Sequence, residues 1–183
     1  MNVFFRLAGF AFVALCAAAA TASAQLSVTT IGATDARICY ENARSATASD
    51  TTPCDEALGD PALTQIDRRK TLVNRGIIHN RNGDLQAAVD DFNAALASDP
   101  SLPEAYINRG NSFFLGGQFD RAIADYEEAL SQGLAKQQVG WYNIGLAYDA
   151  KKEPERARAA YEKALELDPE FALAREKLEE RAR

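Results

Sequence analysis

The chain has 183 residues, of which 20 are Lys or Arg and 26 are Asp or Glu, a formal net charge of -6. There is no basic run or patch, and this argues against a nucleic-acid partner, because neutralising phosphates supplies most non-specific affinity for nucleic acid. The length suits one domain of ordinary size.

In chain order, the first element is an apolar run over 7–20 behind Arg6, followed by Ala22-x-Ala24. Small residues at that spacing suit a signal peptidase, so residues 1–24 are expected to be a cleavable signal, cut after Ala24, and the mature protein to be periplasmic or secreted. A retained membrane helix is the alternative, but the run is shorter than the roughly 20 residues needed to span. Lipid attachment at Cys16 would need a small residue where Leu15 stands. Loss of Arg6 makes the mature chain -7, with no membrane insertion expected after cleavage. Residues 25–36 show no helical period and read as a loosely docked lead segment.

Two cysteines then remain, Cys39 and Cys54, and an even count in an exported chain reads as a disulfide. A metal pair is the rival, yet with His79 as the single histidine the set falls short of four zinc ligands; no metal and no cofactor are expected. A polar stretch rich in Ser, Thr and Asp, 45–53, separates the cysteines as a loop between two short helical pieces.

Beyond residue 68 one pattern occurs three times, at spacings of 34 and then 35 residues: Gly76, Gly110 and Gly145; Ala88, Ala122 and Ala157; Phe92, Tyr126 and Tyr161; Ala95-Leu96, Ala129-Leu130 and Ala164-Leu165. Apolar residues fall at helical spacing on either side of the turns Gly83-Asp84, Gly117-Gln118 and Lys152-Glu153, so each copy is a helical hairpin. Close helix approach needs small side chains, which predicts that Gly76 faces Ala88. Phe92, Tyr126 and Tyr161 are expected between successive hairpins, each contributing roughly 2 kcal/mol by burial. Asp99-Pro100 and Asp168-Pro169 end one hairpin and start the next. The second copy has Ser131-Gln132-Gly133-Leu134 there, with Gly133 expected to cap the helix, and the third copy places Pro154 at a helix start.

These columns resemble the tetratricopeptide repeat. The third copy carries Trp141, Gly145, Tyr148, Ala157, Tyr161, Ala164 and Pro169 in register, and the second Tyr106, Gly110, Phe113, Ala122, Tyr126 and Ala129. The first keeps Gly76, Ala88, Phe92, Ala95 and Pro100, with Leu72 and His79 at two aromatic places. The resemblance implies an all-α solenoid of antiparallel hairpins over 69–102, 103–137 and 138–171, closed by a capping helix over 172–183. It also implies a degenerate hairpin within 25–68, since Ala57-Leu58 and Asp60-Pro61 echo Ala164-Leu165 and Asp168-Pro169. Cys39 would then lie on its first helix and Cys54 on its second, and closing a loop of about 15 residues is worth roughly 3 kcal/mol.

The family commonly binds peptides in a concave groove lined by the first helix of each hairpin. The resemblance places there Lys70, Val73, Asn74, Ile77, Asn80 and Arg81; Glu104, Ile107, Asn108, Asn111 and Phe114; and Tyr142, Asn143, Leu146 and Asp149. Asn74, Asn108 and Asn143 form one column, able either to grip a peptide backbone or to satisfy neighbouring backbone. Some relatives clamp a C-terminal carboxylate with basic residues and Asn. Here Val73, Ile77, Val139 and Asn143 stand at those places, so that function is not expected.

His79 is expected to pack in the interior, no serine lies where it would meet a base, and the pairs Asp90-Asp91, Glu127-Glu128 and Glu179-Glu180 read as solvated faces. The expected function is therefore a non-enzymatic scaffold or adaptor of the bacterial cell envelope that holds a partner protein or peptide. Self-assembly into a homo-oligomer through an incompletely capped end is an alternative, and a small exported hydrolase has no motif to support it.

Overall fold

A computed structural model describes residues 34–181. The expected signal peptide, Cys16 and nearly all of the lead segment lie outside the described residues. The described chain forms nine helices and no strand: α1 (Thr34–Arg44), α2 (Thr52–Gly59), α3 (Gln65–Asn82), α4 (Leu85–Ser98), α5 (Pro103–Leu115), α6 (Phe119–Ser131), α7 (Gln137–Ala150), α8 (Pro154–Leu167) and α9 (Ala172–Arg181). Each helix packs chiefly on its neighbours in sequence, α3 on α4, α5 on α6 and α7 on α8 most extensively, which defines a linear stack of hairpins. None of the described helices is long and apolar enough to cross a membrane.

The hairpin turns share one design. At each, the backbone enters the left-handed region, at Gly83 (φ 84°), Gly117 (φ 72°) and Lys152 (φ 62°). The next residue's N–H then reaches back to an orphan carbonyl: Asp84 to His79 at 2.9 Å, Gln118 to Phe113 at 2.8 Å and Glu153 to Tyr148 at 2.9 Å. Glycine adopts that φ without a Cβ penalty, whereas Lys152 bears it. Gly133 (φ 83°) closes α6 in the same manner, with Leu134 N–H donating to Ala129 O at 3.0 Å, and Leu134 is buried. Pro154 opens α8 within its first turn, where its missing N–H costs nothing.

The recurring glycines meet the aromatic column first, and at Gly110 also the expected alanine, Ala122, whose carbonyl oxygen would lie 3.2 Å from an added Cβ. A Cβ added to Gly76 would lie 2.7 Å from the Phe92 ring, and one added to Gly110 2.6 Å from the Tyr126 ring; Gly145 likewise meets Tyr161. The nearest neighbour of Gly76 is therefore the ring of Phe92 rather than Ala88. The ring abuts the glycine of its own hairpin, and Phe92 shares a core cluster with Ala105 of the next hairpin. Phe92, Tyr126 and Tyr161 are almost wholly buried, and burial holds the Tyr126 and Tyr161 hydroxyls well above the ordinary tyrosine range.

One boundary also moves. Thr64 caps α3, accepting from Asp67 N–H at 3.1 Å, so the first full hairpin begins four residues ahead of residue 69. At its front, α1 and α2 form the short hairpin that bears the cysteines, with Cys39 and Cys54 facing each other, Cα atoms 4.9 Å apart and Sγ atoms 2.10 Å apart. Both are fully buried with Val73. At the far end Phe171 meets Tyr142 edge-on, centroids 5.5 Å apart, and α9 buries Ala174 against α8.

Candidate functional site

The first helices of the full hairpins, α3, α5 and α7, meet along seams made of amide side chains. Asn80 Nδ2 donates to Asn108 O at 3.2 Å, joining α3 to α5. Asn143 Nδ2 donates to Asn111 Oδ1 at 3.2 Å, joining α5 to α7, and Tyr126 Oη donates to the same oxygen at 3.0 Å. Asn108 itself donates to Glu104 O at 2.7 Å. Asn111 serves two helices through one oxygen, which has two lone pairs and accepts from Tyr126 of α6 and from Asn143 of α7, while its Nδ2 is buried without a hydrogen-bond partner. Asn74, Asn108, Asn111 and Asn143 are all buried.

This geometry divides the groove residues named above. Val73, Ile77 and Ile107 belong to the hydrophobic core and expose nothing to a ligand, because the preceding hairpin covers their faces. Asn74, Asn108, Asn111 and Asn143 lie within the stack and do not line an open surface. Tyr142 is buried by the capping segment, its ring 5.7 Å from Tyr161 and 5.5 Å from Phe171. Asp149 accepts from Tyr161 Oη at 2.6 Å and pairs with Arg181 of α9. Arg81 is a helix cap: its guanidinium donates to Asn42 O at 3.1 Å, to Ala43 O at 2.7 Å and to Ala48 O. It thereby satisfies the last carbonyls of α1 and ties down the loop after it. Desolvation lowers its affinity for a proton from the ordinary arginine value.

Lys70, Asn80, Glu104, Phe114 and Leu146 remain half-buried on the first helices. Phe114 tilts against Phe119, centroids 5.6 Å apart. Two residues overlooked in the sequence extend these rows: Ile66, 55% exposed, one turn before Lys70, and Leu115, 57% exposed, one turn after Asn111. The i, i+4 spacing carried that signal. His79 is half-buried, its ring nitrogens 3.7 Å from Asp84 and 3.9 Å from Asp91, too far for hydrogen bonds. Among the described residues no group of three His, Cys, Asp or Glu side chains could hold a metal ion.

A second pattern escaped the sequence reading altogether. In α3, Arg75 grips Asp91 of α4 through two bonds of 2.9 and 2.6 Å and reaches Asp55 of α2 at 2.6 Å. In α5, Arg109 grips Asp125 of α6 through two bonds of 2.8 Å and reaches Asn93 of α4 at 2.6 Å. Each arginine thus binds its own hairpin and the one before it. Hydrogen bonding to the aspartate raises both guanidinium pKa values, against desolvation. The signal lay in the recurrence of Arg and Asp sixteen residues apart.

An all-helical stack of hairpins whose first helices form a continuous seam defines a solenoid of the tetratricopeptide class. Tetratricopeptide repeat family models match residues 73–139 and 139–171, together more than half of the chain, and the chain belongs to that family. Tetratricopeptide repeat protein 36 of Danio rerio is 32% identical over 121 residues, covering 64% of this chain and 64% of that protein. The chloroplastic tetratricopeptide repeat domain-containing protein PYG7 of Arabidopsis thaliana is 30% identical over 120 residues, 64% of this chain and 38% of that protein. The chain thus spans less than two-thirds of these relatives. Among solved structures, the first tetratricopeptide domain of Spaghetti (RPAP3) bound to the HSP90 peptide SRMEEVD superposes with a TM-score of 0.57 at 25% identity, covering 61% of this chain and 88% of that one. MamA superposes with a TM-score of 0.64 at 22% identity, covering 79% and 80%.

Proposed function

We propose that this chain is a non-enzymatic interaction scaffold that holds an extended segment or helix of a partner protein against α3, α5 and α7. The observation that carries the reading is the row of accessible side chains left on those helices once the seams are closed. Ile66, Leu115, Phe114 and Leu146 offer apolar contact, and Lys70, Glu104 and Asn80 interleave charge and amide. A rigid surface of that composition binds a segment at low ordering cost to itself. The peptide seen on the RPAP3 domain supports the mode of binding. An acidic C-terminal tail is not the ligand proposed here, because Val73, Ile77, Val139 and Asn143 occupy the places of a carboxylate clamp and all are buried.

The proposed setting is the bacterial cell envelope, reached through cleavage after Ala24, with the Cys39–Cys54 bond formed in an oxidising compartment. Amino-terminal sequencing of the protein from fractionated cells should begin at Gln25; an intact Met1 in the cytoplasmic fraction contradicts the export reading. For the groove, a photocrosslinker placed at Phe114 should trap a partner that Lys70→Ala/Glu104→Ala loses. Equal trapping from Arg158, on the last second helix and 69% exposed, would refute the groove as the site.

A further inference from the structure

A cavity of about 330 Å3 opens where α6, α7 and α8 meet, lined among others by Glu127, Trp141, Ile144, Tyr148 and Ala160. It lies between the second helices of two hairpins, apart from the groove residues. Its place in the repeat explains its shape. Ile144 and Ala160 stand sixteen residues apart, in the register of Arg75 with Asp91 and of Arg109 with Asp125. The third hairpin therefore lacks the arginine, and its inner aspartate, that fill the equivalent space in the other two.

What surrounds that space is kept. The Arg109 guanidinium carbon lies 5.4 Å from the Tyr106 ring centroid and 5.9 Å from that of Phe113, and its outer nitrogen bonds Asn93. The corresponding residues around the cavity are Trp141, Tyr148 and Glu127. Tryptophan is the better cation–π acceptor, and a carboxylate binds a guanidinium more strongly than an amide does. Each place also offers one carboxylate, Asp125 beside Arg109 and Glu127 beside the cavity, although Lys163 of the cavity lining stands where the second hairpin has Glu128.

Two cations share the lining, and neither closes it. Arg156 pairs with Glu153 at 2.9 Å while resting 4.7 Å above the Tyr148 ring; its counterpart Arg121 sits 3.8 Å above Phe113 beside Arg109, so a guanidinium in each position is already accommodated once in this chain. Lys163 pairs with Glu166 at 2.6 Å. Glu127 makes no ion pair within 4.0 Å among the described residues, although it bears on Arg156 electrostatically.

From this we propose that the cavity is a docking site for an arginine side chain of a partner protein, its stem lying on Ile144 and Ala160, its guanidinium between Trp141 and Tyr148 and bonded to Glu127. The site is independent of the groove and stands whether or not the groove binds a partner. Trp141 is the chain's only tryptophan and reports directly. Titrating the purified chain with the tripeptide acetyl-Gly-Arg-Gly-amide should give a saturable change in Trp141 fluorescence. The isosteric citrulline peptide should give none, and Glu127→Gln should weaken the arginine response about tenfold. Glu127 is exposed, so that variant keeps the fold, which circular dichroism verifies. Ile144→Arg/Ala160→Asp rebuilds the chain's own pair and should abolish the response. An equal response to citrulline, an unchanged response in Glu127→Gln or binding that survives the filled cavity overturns the proposal. Tighter binding of free L-arginine than of the tripeptide would overturn the assignment to a partner protein.

Discussion

Replacing the Arg109–Asp125 pair by the Ile and Ala that the third hairpin carries is a direct measure of what these pairs contribute. Arg109→Ile strands the Asp125 carboxylate, whose side chain is only 9% exposed, without both of its bonds to the guanidinium. An uncompensated buried charge of that kind costs about 3 kcal/mol. Asp125→Ala is milder. The guanidinium, 19% exposed, keeps Asn93 and the rings of Tyr106 and Phe113, so the loss should be about 1.5 kcal/mol. The double variant removes both charges together and should fall within about 1 kcal/mol of the parent, since a buried pair is readily exchanged for apolar groups. The coupling is then about 4 kcal/mol. Urea denaturation followed at 222 nm resolves it, because with a slope of roughly 1.5 kcal/mol per molar the Arg109→Ile midpoint should drop by about 2 M. Two single effects that simply add in the double variant would refute the reasoning.

Lys152→Gly should stabilise the chain by about 1 kcal/mol, since it relieves a left-handed φ of 62° that glycine tolerates; a lower urea midpoint would contradict this. Gly110→Ala should destabilise by roughly 1–2 kcal/mol despite alanine's helix propensity, because its Cβ would press on the Tyr126 ring and on Ala122 O, 3.2 Å away. Tyr126 contributes, with Tyr161, to an alkaline limit. Its hydroxyl is pushed up by burial, so the unfolded chain loses that proton first: stability is intact below about pH 10 and falls above it by up to ~1.4 kcal/mol per pH unit. Tyr126→Phe should flatten that fall in urea titrations between about pH 9 and 11, and an unchanged slope would assign the loss elsewhere. Cys39→Ala/Cys54→Ala should cost roughly 3 kcal/mol and free the amides of α1 and α2 to exchange before those of α3; uniform protection across the three helices would contradict it.

The hairpin stack was legible because each copy repeats its small and aromatic columns, and a period cannot arise without a repeated unit. The partner of each glycine was not. A small residue on one helix fits either a small residue or a flat ring on the other, and only the rotamer of Phe92 or Tyr126 decides. Of the residues expected to line a groove, Lys70, Glu104 and Phe114 keep accessible surface, while Val73 and Ile107 vanish beneath neighbouring helices. Tyr142 was misread for a similar reason, since nothing in its own hairpin shows that Phe171 will cover it. Arg75 with Asp91 and Arg109 with Asp125 could have been found, as could their loss at Ile144 and Ala160. A charged column inside an amphipathic repeat was simply taken for solvent-facing polarity.

The outward reach of each arginine bears on how such a chain can be recombined. Excision of the α3–α4 hairpin would bring Asp55 to Arg109, a charged acceptor in place of Asn93, and the joint would close. Excision of the α5–α6 hairpin would instead set Asn93 beside Ile144, an amide facing an aliphatic side chain, and the new joint would lack an arginine bridge, as the present joint of α6 with α7 does. Neighbouring units therefore differ in whether an arginine bridges the joint between them, and only the third hairpin must join without one.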